Sequence, residues 1–205
     1  MSWAMNPHPF SLRLRAALVF ALGFFLTPGA WAETAVKSAA LSNATVFIIR
    51  HAEKPEEGRG LTAAGEKRAE AYVHYFAGLR VGKEPLKFEH LFAAADSKNS
   101  ERPRLTIEPL SRALKLPIDQ RFEAEDFARL AKDMRTQDHG RSMLICWHHG
   151  AIPGLLDELG VEPSRVLPDG EWPDKVFNWI LVLRFNANGK LMTKHSERVT
   201  MRWAQ

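Results

Sequence analysis

Residues 45–55 read TVFIIRHAEKP. Thr45 to Ile49 form an apolar, β-branched run, the pattern of a strand buried on both faces. Arg50, His51, Glu53 and Lys54 then arrive within five positions. In open α/β sheets, ligands bind beyond the carboxyl ends of the strands. Charge gathered around an imidazole at such a tip is therefore the first place to look for chemistry.

Outward from this stretch, apolar runs alternate with helical patterns. The segment 62–79, TAAGEKRAEAYVHYFAGL, has helical density, with Thr62 as its N-cap. FEHLFAA at 88–94 is a second strand, and 102–115 is a second helix whose Pro103 fits only in the first turn. EDFARLAKDMRT is a third helix, SMLICWH a third strand, and AIPGLLDELG a short helix closed by Gly160. Two late strands, VFNWILVLRFN and KLMTKHSERV, flank the turn signal NANG. This alternation predicts an α/β fold with a mostly parallel central sheet, helices on both faces and an antiparallel edge. The sequence carries no internal repeat, no Gly-rich phosphate loop and no paired CxxC.

The chain has 205 residues, 45% hydrophobic and 25% charged, the balance of a globular domain and not of a disordered segment. Its first 32 residues stand apart. Arg13 and Arg15 precede the apolar run AALVFALGFFL, and AWA at 30–32 reads as a cleavage site. The run is shorter than the ~20 residues a bilayer span needs. Residues 1–32 are thus expected to be a signal peptide cut after Ala32, 33–43 a lead-in, and 44–205 the folded domain. That reading places the protein in the periplasm or outside the cell, with no membrane span after cleavage. The leader holds two basic and no acidic residues, so the net charge falls from +4 to +2 on its removal. A nearly balanced chain with no basic stripe among aromatics gives little support to a nucleic-acid partner, and none is expected. The one cysteine, Cys146, lies in MLICW, forms no internal disulfide and reads as a buried thiol.

Three strand tips carry unusual residues. Arg50 and His51 follow the first strand. Arg102 and Arg104 follow the second, in the polar stretch ADSKNSERPRLT. His148, His149 and Gly150 follow MLICW. Cations do not gather in a dry crevice unless an anion neutralises them. The planar fork of arginine fits phosphate oxygens, and histidine can attack phosphorus. The residues therefore point to an anion site built around a nucleophile.

RHAEKP, LTAAGEKRAE, SERPRLT and CWHHGAIPGLL, taken in order, resemble the histidine phosphatase superfamily, the phosphoglycerate mutase-like fold. The resemblance spans residues 45 to 185 and implies a three-layer α/β/α architecture. It implies that His51 is the nucleophile that becomes phosphohistidine and that Arg50 and Arg102 clamp the phosphoryl group. Arg102 stands four residues before Thr106, as in the family's Arg-x-x-x-Thr. It implies that His149, directly before Gly150, donates to phosphate. Lys54, Ser97 and His148 are placed as substrate-binding residues. Three departures stand out. Ala52 replaces the usual glycine, at about 1 kcal/mol if the backbone there has positive φ. DSKNSE stands where Ser-Pro-Leu is usual. The usual acid has no clear counterpart, with Glu123 chosen as the tentative acid over Glu125 and Asp126.

The implied activity is hydrolysis of a phosphomonoester or other phosphoryl compound, with a small phosphorylated molecule or phosphopeptide as partner and no metal or cofactor. His51 must be neutral, with one ring nitrogen tied to a backbone carbonyl and the other free to attack. A short chain suits a phosphatase better than a mutase. Two rival readings remain: a non-catalytic phospholigand-binding envelope protein, and a zinc hydrolase using His51, Glu53, His148 and His149, which the neighbouring arginines oppose. Glu53 and Lys54 read either as pocket-mouth or as solvated residues, and Trp172 of EWPD as a core or rim aromatic.

Overall fold

The computed structural model describes residues 40–202 apart from Gly82. The expected signal peptide, its cleavage site and most of the lead-in lie outside the described residues. The elements run β1 (Thr45–Arg50), α1 (Ala63–Gly78), β2 (Arg80–Val81), β3 (Glu84–Pro85), β4 (His90–Ala93), α2 (Arg102–Leu114), β5 (Ile118–Asp119), α3 (Phe127–Thr136), β6 (Ser142–Trp147), α4 (Ile152–Glu158), β7 (Trp179–Arg184) and β8 (Glu197–Thr200). Among the described residues no helix is long and apolar enough to cross a membrane.

Six strands form one sheet in the order β5-β4-β6-β1-β7-β8. The β5-β4-β6-β1 half is parallel, and β7 and β8 add antiparallel. All six residues of β1 are buried, as its unbroken apolar run required. Alternate residues of the central strands face opposite cores. Val46, Ile48, Met143, Ile145 and Trp147 pack with Leu130, Met134, Leu155 and Leu156 of α3 and α4. Phe47, Ile49, Leu144 and Cys146 pack with Tyr72, Phe76, Ile107 and Leu110 of α1 and α2. Each helix pair covers one face, which gives the expected three layers.

The differences from the sequence reading are local. The late strands are not joined by a tight hairpin. After β7 the chain turns over 186–190, closes a bridge between Phe185 and Leu191, makes a 3₁₀ turn at Thr193–His195 and only then enters β8. The pair β2–β3 and strand β5 have two residues each, too short for a period-2 signal. Helix α3 begins at Phe127, after a turn in which the Asp126 amide bonds to the Glu123 carbonyl. Cys146 is fully buried, and that burial pushes its thiol pKa up. The sheet ends in two unlike edges: β5, two residues long, and β8, whose Glu197 and Arg198 are exposed.

Helix α1 starts as its cap predicts, with Thr62 Oγ1 accepting the Gly65 amide at 3.1 Å. Its first turn sits hard against the chain just past His51. The Thr62 amide donates to the Glu53 carbonyl at 3.0 Å, and a Cβ on Gly65 would lie 2.6 Å from that oxygen. Gly65→Ala is therefore expected to lower stability by about 1–3 kcal/mol through overpacking, although alanine favours a helix interior by about 1 kcal/mol. Urea denaturation measures it; an unchanged or raised midpoint would show that the close approach is unimportant.

Candidate active site

The parallel register sets the site. Arg50 pairs with Trp147, and the His51 amide donates to the Trp147 carbonyl at 3.0 Å. The residues after the two strands, His51 on one side and His148–His149 on the other, are thereby neighbours. The ring centroids of His51 and His148 are 5.2 Å apart, and those of His51 and His149 are 6.3 Å apart.

His51 is 2% exposed. Its Nδ1–H donates to the Ala52 carbonyl at 2.7 Å, which leaves the Nε2 lone pair free. Burial lowers its pKa to about 3, against the opposing carbonyl bond, and His148, Arg50 and Arg102 depress it further. The ring is therefore neutral across the physiological range. Ala52 is outside the positive-φ region, which among the described non-glycine residues holds Asn43, Lys115 and Asp169. Alanine thus carries no backbone strain here. The Ala52 amide is held by Thr106 Oγ1 at 2.8 Å, while the same hydroxyl donates to the Arg102 carbonyl at 2.8 Å. Thr106, fully buried in α2, thus ties the chain after β1 to the helix turn that carries Arg102.

Arg50 is 2% exposed, and its guanidinium is fixed on one side only. Nη1 donates to the carbonyls of Pro173, Asp174 and Val176 at 3.1, 2.8 and 3.1 Å. The Phe177 ring stacks 4.0 Å from the guanidinium carbon. Burial lowers the pKa to about 10, with Asp174 and Glu53 opposing, so the group stays charged at neutral pH. The other edge of the fork is open: Nη2 meets His149 Nδ1 at 3.3 Å, and Nε has no partner among the described residues. Arg102 is similar. Nη1 donates to the Gly58 carbonyl at 3.3 Å, while Nε is buried without a partner among the described residues. Burial, then the charge of Arg102, with His149 and Arg50 adding to them, lowers the His148 pKa to about 4.

Arg50, His51, Arg102, His148 and His149 are thus brought together. Lys54 is exposed, with its charge close enough to depress His149. Two expected site residues are not joined to the imidazoles by any contact among the described residues. Ser97 is exposed in a turn, where its hydroxyl accepts the Asn99 amide. Glu123 is exposed beside α3, its amide bonded to Asp126. Both followed from loop position alone, which fixes no side-chain direction. Glu53 is partly exposed and paired: Arg68 grips both its carboxylate oxygens at 2.5–3.0 Å. The zinc set that required Glu53 is therefore not assembled, and among the described residues no three metal-ligating side chains gather.

Sequence reasoning missed Asp174. Its carboxylate accepts from His149 Nε2 at 2.8 Å. It follows Trp172, whose indole is buried at 3% exposure and donates to the Val176 carbonyl at 2.7 Å. The core aromatic was legible. The loop it shapes, which turns three carbonyls toward Arg50, was not.

No protein-family description and no curated protein matches the sequence. Solved structures do. An Escherichia coli protein assigned as an alpha-ribazole-5'-P phosphatase matches over 79% of this chain and 97% of its own, at 12% identity and TM-score 0.51. The protein histidine phosphatase SixA complexed with tungstate matches over 76% and 96%, at 17% identity and TM-score 0.48. A Plasmodium falciparum phosphoglycerate mutase matches over 79% and 91%, at 14% identity and TM-score 0.48. The chain has the phosphoglycerate mutase-like α/β fold.

The neutral rings predict an acid-sensitive fold. A histidine with a normal pKa near 6.5 in the unfolded chain and about 3 or 4 in the folded one binds more protons when unfolded between those values. Stability is then present above about pH 6.5 and is lost as pH falls toward 4. Urea midpoints measured from pH 7 to 4 are expected to fall, and His148→Gln to flatten the slope by about one proton. A slope unchanged in that variant would contradict the neutral ring at 148.

Proposed function

We propose that this protein is a phosphatase that hydrolyses a phosphomonoester or other phosphoryl compound through a phosphohistidine on His51. The observation that carries the reading is the pair of buried guanidinium Nε–H donors, on Arg50 and Arg102, without partners among the described residues, beside a neutral imidazole. A buried donor without an acceptor costs about 1–3 kcal/mol, and a phosphoryl group supplies acceptors to both. His51 Nε2 attacks phosphorus as the bond to the leaving oxygen breaks, and that oxygen keeps the electron pair. Arg50 and Arg102 hold the phosphoryl oxygens and spread their charge, with His148, His149 and Lys54 around them. Water then displaces His51 from phosphorus. The fold supports this reading only as a setting, since one fold hosts many activities. The substrate class is a small phosphorylated molecule or a phosphopeptide. The leader read at residues 1–32 supports a periplasmic or secreted location.

Hydrolysis of p-nitrophenyl phosphate and acid-labile ³²P labelling test the site. The wild type is expected to turn over and to label, and His51→Ala to fall to background in both. Hydrolysis that survives His51→Ala sinks the nucleophile assignment. Phosphate binding without turnover or label favours the non-catalytic reading. N-terminal sequencing of the exported protein is expected to begin at Glu33, and an intact Met1 would refute cleavage.

A further inference from the structure

Asp174 touches the site twice. Its main-chain carbonyl accepts from Arg50 Nη1, and its carboxylate accepts from His149 Nε2, both at 2.8 Å. The other nitrogen of His149, Nδ1, lies 3.3 Å from Arg50 Nη2. A guanidinium only donates, so Nδ1 accepts and the single ring proton sits on Nε2. Both nitrogens are engaged, and the ring has no N–H to offer a phosphoryl oxygen. An anion seated on the Nε–Nη2 edge of Arg50 draws the Nη2 donor away from His149. Nδ1 would then point a lone pair at an anionic oxygen, a repulsive contact, unless it gains a proton.

We propose that Asp174 is a positioning residue that lets His149 take up a proton as the phosphoryl anion binds. Nδ1–H then donates to the phosphoryl group while Nε2–H stays on the carboxylate. The proton comes from solvent, and no bond other than N–H changes in this step. The inference rests on the anion-site reading above. It deepens that reading by making substrate binding a proton-linked event.

The groups around His149 set the balance. Burial, Arg50 and Lys54 hold its pKa down, and Asp174 raises it. His51 and His148 face it as neutral rings. Asp157, Glu162, Asp169 and Glu171 line the cleft beyond it. In the free protein the cations and burial prevail. A bound dianion offsets Arg50 and leaves Asp174 as the deciding contact. The Asp174 side chain is 87% exposed, so replacing its carboxylate disturbs no packing. Asp174→Asn keeps an acceptor for Nε2–H and keeps the carbonyl that anchors Arg50. It removes only the charge that steadies an imidazolium.

Calorimetric titration with tungstate near pH 7, in two buffers of different ionisation enthalpy, counts the protons taken up per ion. Tungstate is a phosphate-shaped dianion with no proton of its own to exchange at that pH. The wild-type protein is expected to take up about half a proton or more per bound ion, and Asp174→Asn a clearly smaller fraction, with Asp174→Glu restoring most of the uptake. Tungstate bound with no proton uptake by wild type, or equal uptake by wild type and Asp174→Asn, overturns the proposal while leaving the anion site standing. Absence of any tungstate binding by the wild type overturns both.

Discussion

The in-register parallel pairing of β1 with β6 is the constraint on which the site depends. Residue 50 lies opposite 147, so residues 51 and 148 leave the sheet side by side. Side chains along a strand alternate faces, and a slip of one residue would send His51 to the wrong side and bury the wrong core set. The register is protected by that same burial. Val46 and Ile48 belong to one core and Phe47 and Ile49 to the other, so a one-residue shift would exchange the two sets. The packing that stabilises the sheet is therefore also what aims the chemistry.

A buried guanidinium is costly unless its hydrogens find acceptors. Arg50 meets this with backbone oxygens rather than carboxylates. Three carbonyls and an aromatic face hold half of the fork without cancelling its charge. Glu53, the carboxylate nearest in sequence, is kept on Arg68 instead. A direct Glu53–Arg50 pair would have neutralised the cation that an anion needs. Thr106 plays the complementary role for Arg102 by fixing the helix turn from which that side chain reaches the site.

Much of this was legible because it is written in side chains with a period. The unbroken apolar run before Arg50, the Thr62 cap and the Pro103 helix start each specify their own local structure, and each was found where the residues put it. The convergence of the strand tips followed from the α/β architecture. Contacts made through backbone atoms were not legible. Nothing in EWPDKVF marks the carbonyls of Pro173, Asp174 and Val176 as acceptors for Arg50, and nothing places the Asp174 carboxylate at a ring twenty-five residues away. Loop side chains were not fixed for the same reason: Ser97 and Glu123 lie in exposed turns whose sequence sets no side-chain direction.

The two ends of the sheet also bear on how the protein behaves in company. A sheet edge is a row of unused backbone donors and acceptors onto which a foreign strand can add. Here one edge is only two residues long, and the other displays Glu197 and Arg198 to solvent. A strand from another molecule would find too little ladder at the first and would have to desolvate charge at the second. At the described edges, brevity on one flank and ionisation on the other therefore both oppose the addition of a foreign strand.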